Sequence, residues 1–66
     1  MPFIEVTLAQ GRTPEQLRAL IHELTAATER TVAAPKANIR VILREVPPTH
    51  FAAGDETLAE RRAAAD

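Results

Sequence analysis

A chain of 66 residues with no cysteine and a formal net charge of −1 lacks both the disulfides of small secreted domains and the clustered positive charge that nucleic acid or an anionic membrane selects. His22 and His50 stand far apart in the sequence, so a structural metal site is not expected either. A single domain this small buries only about 60% of the surface of its unfolded chain, which leaves association with further copies as the means of completing a core.

The chain opens on Met1-Pro2, a start from which the initiator Met is usually trimmed. Pro2 nitrogen then changes from an amide into a free secondary amine, a rigid base suited to proton transfer when its affinity for a proton is tuned near the working pH. From Phe3 to Leu8 the residues alternate, with Ile4, Val6 and Leu8 on one face and Phe3, Glu5 and Thr7 on the other, which predicts a strand over 2–8. Ala9, Gln10 and Gly11 break that pattern. Thr13-Pro14-Glu15-Gln16 then reads as a helix start, with Thr13 as N-cap, Pro14 at the first helical position and Gln16 three residues after the cap. Leu17, Leu20, Ile21, Leu24 and Thr28 continue at spacings of three and four, so the helix carries one apolar stripe. It runs to about Ala33, because Pro35 forbids continuation.

After a turn over Lys36-Ala37-Asn38, residues 39–45 alternate again and predict a second strand, ended by Pro47-Pro48. Strand, helix and strand make a β-α-β unit whose strands run parallel. Pro2 and Arg40 therefore fall on the same rim of the sheet. One helix covers only one sheet face, yet Phe3 and Ile42 place apolar groups on the other, so a second subunit is expected to cover it. Thr49 to Asp55 reads as a turn or short hairpin, and residues 56–66 as a short helix or a variable tail. The fold class is thus α/β (α+β), in a single domain spanning 1–66. No apolar run approaches the ~20 residues of a membrane span and no leader precedes the domain, so a soluble, cytoplasmic protein is expected.

The chain has no serine and no cysteine, which removes the common hydroxyl and thiol nucleophiles with their His partners. No glycine-rich phosphate loop is present, since Gly11 and Gly54 are the only glycines. His22 reads as a surface residue of the helix, and His50 stands beside Phe51. What remains is the set Pro2, Arg12, Arg40 and Phe51.

These residues sit in a frame that resembles the 4-oxalocrotonate tautomerases, members of the tautomerase superfamily with an amino-terminal proline. The resemblance runs ungapped from Pro2 through Phe51. Met1-Pro2, Gly11-Arg12, Glu15-Gln16, Ala34-Pro35, Ile39-Arg40-Val41 and His50-Phe51 carry it. It implies a cofactor-independent isomerase in which Pro2 is the general base and acid, Arg12 and Arg40 bind substrate carboxylate and carbonyl oxygens, and Phe51 is an apolar wall. It also implies a pocket shared between subunits of a hexamer built as a trimer of dimers, and a small anionic substrate such as 2-hydroxymuconate. The physical logic agrees, because two guanidinium groups and an apolar wall disfavour the protonated amine and the cations stabilise the charge of a dienolate. Two departures accompany the resemblance. The turn after Phe51, Ala52-Ala53-Gly54, is less glycine-rich than the family tends to be, and the segment from Glu56 onward has no clear counterpart.

Three other readings compete. A hydratase or dehalogenase of the same superfamily needs a carboxylate to activate water, for which Glu5 and Glu45 are the candidates. A noncatalytic assembly module would keep the fold without a working base. A small DNA-binding module should carry basic residues on its exposed strand, and Phe3, Glu5 and Thr7 are not basic.

Overall fold

The computed structural model describes residues 2–65. Met1, whose removal bears on Pro2, and Asp66 lie outside the described residues. The elements in order are β1 (Phe3–Ala9), α1 (Pro14–Val32), a 3-10 turn (Lys36–Asn38), β2 (Arg40–Val46), a second 3-10 turn (Pro48–His50), β3 (Ala52–Ala53), β4 (Glu56–Thr57) and α2 (Leu58–Ala65). β1 and β2 pair in parallel, in register from Phe3 opposite Arg40 to Ala9 opposite Val46. The expected β-α-β unit is therefore present.

Both strands sit one residue further along than the alternation predicts. Ala9 does not break β1: it pairs with Val46, and the next amide, on Gln10, still donates to the Val46 carbonyl at 2.9 Å. The chain leaves the sheet only at Gly11, whose φ of 130° lies where a side chain is unfavourable. Along β1 the exposed and half-buried positions alternate as expected, with Ile4, Val6 and Leu8 half-buried and Phe3, Glu5 and Thr7 exposed.

α1 begins where its sequence directs. The Thr13 hydroxyl accepts from the Gln16 amide at 3.1 Å and the Gln16 side chain accepts from the Thr13 amide at 2.9 Å, a reciprocal cap that satisfies two of the helix's unpaired donors. The stripe of Leu17, Leu20, Ile21, Leu24 and Thr28 is half-buried throughout, and Thr28 hides its hydroxyl by donating to the Leu24 carbonyl at 2.8 Å. The helix ends at Val32 because Ala33 turns left-handed, at φ 55° and ψ 34°, a conformation that costs a residue with a Cβ about 1–2 kcal/mol.

After β2 the hairpin and the short helix are the alternatives present, and not a variable tail. β3 and β4 form an antiparallel hairpin, Ala52 opposite Thr57 and Ala53 opposite Glu56. Gly54 and Asp55 make its turn with φ of 62° and 64°, the two positive angles of a type I′ connection. α2 follows directly, capped by Thr57 and Glu60: the Thr57 amide donates to Glu60 Oε1 at 2.7 Å and the Glu60 amide to Thr57 Oγ1 at 3.0 Å. The backbone amide of Thr57, and after it the Thr57 hydroxyl, hold the Glu60 carboxyl below its ordinary value, because hydrogen bonds to the carboxylate favour its ionised form.

A single chain contains almost no interior. Among the described residues only Ala9 is buried, at 5% exposure, and Phe3, Val32 and Phe51 stand open. Its accessible surface of 4919 Å² exceeds the about 4,100 Å² expected of a folded monomer of this mass. The radius of gyration of 15.1 Å likewise exceeds the about 11 Å of a compact domain of this length.

Replacing Ala33 with Gly should stabilise the protein by about 0.5–1 kcal/mol, since relief of the left-handed strain outweighs the entropy gained by the unfolded chain. At fixed protein concentration the urea midpoint should rise with the slope unchanged. A lower midpoint would mean that the Ala33 methyl makes a contact worth more than the strain.

Candidate active site

Pro2 is half-buried and immediately precedes β1. Its carbonyl accepts the Arg40 amide at 3.1 Å, so the first parallel rung of the sheet ties the two predicted site residues together. Arg40 lies opposite Phe3 and shares its sheet face, the one turned away from α1. This rim brings together Pro2, the backbone of Arg40 and the exposed Phe3.

Arg12 is elsewhere. It follows the end of β1, and its Nη1 donates to the Ala9 carbonyl at 2.9 Å. That bond folds the side chain back over the strand end and uses one of the five donors of a guanidinium. No carboxylate pairs with Arg12 among the described residues, so it is not the surface ion pair with Glu15 that an ordinary structural role would suggest. From Pro2 to Ala9 the strand rises about 3.3 Å per residue, and the two rims are thus about 23 Å apart. Phe51 follows β2 from the Arg12 end, through Pro47 and one 3-10 turn, and is 38% exposed. Within one chain the four predicted residues form two separated groups, Pro2 with Arg40 and Arg12 with the segment bearing Phe51.

The carboxylates considered for activating water lie off the proline's rim. Glu5 binds Arg44 Nη1 at 2.8 Å on the open sheet face, and Glu45 pairs with Leu8 near the far end of the strands. His22 is exposed on α1 and His50 closes the second 3-10 turn. An open hollow on α1, lined by Pro14, Glu15, Arg18, Ala19, His22 and Glu23, includes none of the predicted site residues. No group of three metal-ligating side chains occurs among the described residues, and no helix there is long and apolar enough to cross a membrane.

Two features were not anticipated from the sequence. The tether of Arg12 to a backbone carbonyl has no sequence signal, because any carbonyl can accept. The cap of α2 has one, since Thr57-Leu58-Ala59-Glu60 is the Thr-x-x-Glu pattern of a reciprocal helix cap.

Comparison with known proteins shows the family and the fold, and it extends past Glu56, where the sequence alone has no clear counterpart. The family model described as tautomerase enzyme matches residues 2–61. The 2-hydroxymuconate tautomerase of Stutzerimonas stutzeri is 39% identical over 57 residues, covering 86% of this chain and 90% of that protein. The crystal structure of TomN, a 4-oxalocrotonate tautomerase homologue in the tomaymycin biosynthetic pathway, superposes with a TM-score of 0.95 at 43% identity, covering 98% of this chain and all of that one. A heterohexamer 4-oxalocrotonate tautomerase from Chloroflexus aurantiacus superposes with a TM-score of 0.88 at 38% identity, over 91% of this chain and 97% of that one.

Proposed function

The chain belongs to the tautomerase enzyme family, and from that premise we propose that it is a cofactor-independent isomerase acting on a small unsaturated 2-hydroxy dicarboxylate such as 2-hydroxymuconate. The observation that carries this reading is the hydrogen bond between the Arg40 amide and the Pro2 carbonyl, which keeps the proposed base and a guanidinium-bearing residue at one rim. Once Met1 is removed, Pro2 nitrogen accepts the proton of the 2-hydroxyl group. The electron pair passes along the conjugated system, a carbonyl forms at C2, and the protonated amine returns the proton to a conjugated carbon. Substrate and product have the same formula, so no further reactant is consumed. Arg40 stabilises the oxygen charge that grows in the transition state. Arg12 holds the far carboxylate, for which a planar guanidinium fork is suited.

A substrate of six carbons cannot span the about 23 Å between the rims of one chain. The working pocket is therefore formed where the Pro2 rim of one copy meets the Arg12 end of another. The near absence of a core in the single chain supports the same association, and a hexamer built as a trimer of dimers satisfies both requirements. The hydratase and dehalogenase reading is disfavoured because Glu5 is held by Arg44 and Glu45 stands near the opposite rim. The noncatalytic reading applies to any form in which Met1 stays attached, since Pro2 nitrogen is then an amide.

Trimmed protein should ketonise 2-hydroxymuconate with a higher kcat/KM than an enolised monoacid such as phenylpyruvate, whereas a form retaining Met1 should be inactive. Preference for the monoacid, release of halide from a haloacrylate at a similar rate, or full activity with Met1 in place would overturn the assignment.

Arg40→Ala should lower kcat by about 100-fold or more, as removal of an oxyanion donor does. Arg12→Ala should instead act on binding, raising KM by about tenfold with a smaller change in kcat. Steady-state kinetics on the two variants separates these roles, and equal small effects would reduce both to surface charges.

Co-assembly tests the shared pocket directly. Equal amounts of Arg12→Ala and Arg40→Ala chains, unfolded and refolded together, should regain about a quarter of the wild-type sites if the two arginines come from different copies and the chains mix at random. No recovery in demonstrably mixed assemblies would place both arginines of each pocket on one chain.

A further inference from the structure

The segment after β2 raises a question that the site alone does not answer, namely what fixes Phe51. The hairpin that follows it has only two residue pairs, too few to be stable in water by itself, and its turn sets Asp55 in a left-handed conformation. An eight-residue helix is equally marginal in isolation. The two are held by one another. The Leu58 amide, at the start of α2, donates to the Phe51 carbonyl at 2.8 Å and so extends the hairpin by one rung to the predicted wall residue. Arg61 Nε reaches back to Glu56 Oε1 at 3.2 Å, and α2 packs against the 3-10 turn that immediately precedes Phe51. The chain on both sides of Phe51 is thereby fastened to α2.

We propose that the reciprocal cap of Thr57 and Glu60 is a positioning device for Phe51, which sets substrate affinity by holding α2 and the hairpin as one unit. It rests on the reading of Phe51 as a wall of the pocket. The cap acts at the junction itself, because Thr57 is the last residue of β4 and the residue before α2. Both of its hydrogen bonds fix the backbone next to Leu58, whose amide reaches Phe51. Glu60 is exposed, so its contribution is geometric rather than one of burial, and its carboxyl, held below the usual range by Thr57, stays an acceptor at neutral pH. Glu60 touches no substrate and acts only through Phe51.

The test uses trimmed, assembled, full-length protein with 2-hydroxymuconate, and follows both kinetics and hydrogen exchange at the Leu58 amide. Glu60→Ala should accelerate that exchange about tenfold, as loss of a helix cap does, and raise KM about threefold or more with kcat within about twofold. Glu60→Gln, which keeps an oxygen to accept from the Thr57 amide, should stay close to wild type, and Thr57→Ala should repeat the effect from the other side of the cap. Added to Phe51→Ala, the Glu60→Ala change should produce no further rise in KM. Faster exchange with unaltered KM, in a protein whose KM does respond to Phe51→Ala, would overturn the positioning role, as would strictly additive effects of the two changes or unaltered exchange. A KM indifferent to Phe51→Ala would instead overturn the wall reading and the proposal with it, and the exchange data would tell that failure from one in the cap.

Discussion

The parallel pairing of β1 with β2 is the interaction on which the rest of the molecule depends. Its register, from Phe3 opposite Arg40 to Ala9 opposite Val46, sets Pro2 and Arg40 at one rim and the turn that leads to Arg12 at the other. A slip of one residue would turn every strand side chain to the other face, sending Arg40 toward α1 and Val41 into the open. The capped helix matters because parallel strands need a crossover connection. α1, fixed at its start by Thr13 and at its end by the left-handed Ala33, supplies one of defined length. The rim that joins Pro2 and Arg40 is thus a product of helix length as much as of strand sequence.

Burial sets the second constraint. With Ala9 alone buried among the described residues, the single chain has secondary structure but not the packed interior that makes secondary structure stable. Its largest apolar groups, Phe3 and Phe51, stand exposed near or beyond the two rims. Under the proposed function, the contacts that bury these rings also bring Arg12 of one copy toward Pro2 of another. Folding stability and assembly of the pocket then draw on the same surfaces, and a change that weakens one weakens both.

Much of this architecture could be read from residue order. The alternation from Phe3 to Leu8 and the Thr13-Pro14-Glu15-Gln16 start are local signals, and local signals survive because tertiary contacts reinforce them. The strand ends shifted by one residue because Ala9, without a side chain large enough to show alternation, still pairs with Val46. The segment from Thr49 to Ala65 left a hairpin or turn and a short helix or tail open for another reason, and the structure selects the hairpin and the helix. α2 has too many alanines to display an apolar stripe, so its evidence lay in two short signals, Gly54-Asp55 as a hairpin turn and Thr57 with Glu60 as a cap. Of the proposed site, strand direction alone put Pro2 and Arg40 on one rim, whereas the place of Arg12 at the other end comes from the structure. The hold of the Ala9 carbonyl on Arg12 was not legible, because a backbone acceptor leaves no trace in the order of side chains.

The separation of Pro2 and Arg40 from Arg12 along the sheet also bears on how such a protein can evolve. Under the proposed function, a chain that offers one half of a pocket at each end serves two pockets, and a harmful change at one end leaves its other end useful to a neighbour. After gene duplication, one copy could keep the proline rim and the other the Arg12 end, each tolerating losses that would disable it alone. Division of labour between paralogues would then need no new interface, since the surfaces that already join identical chains would join the divergent ones.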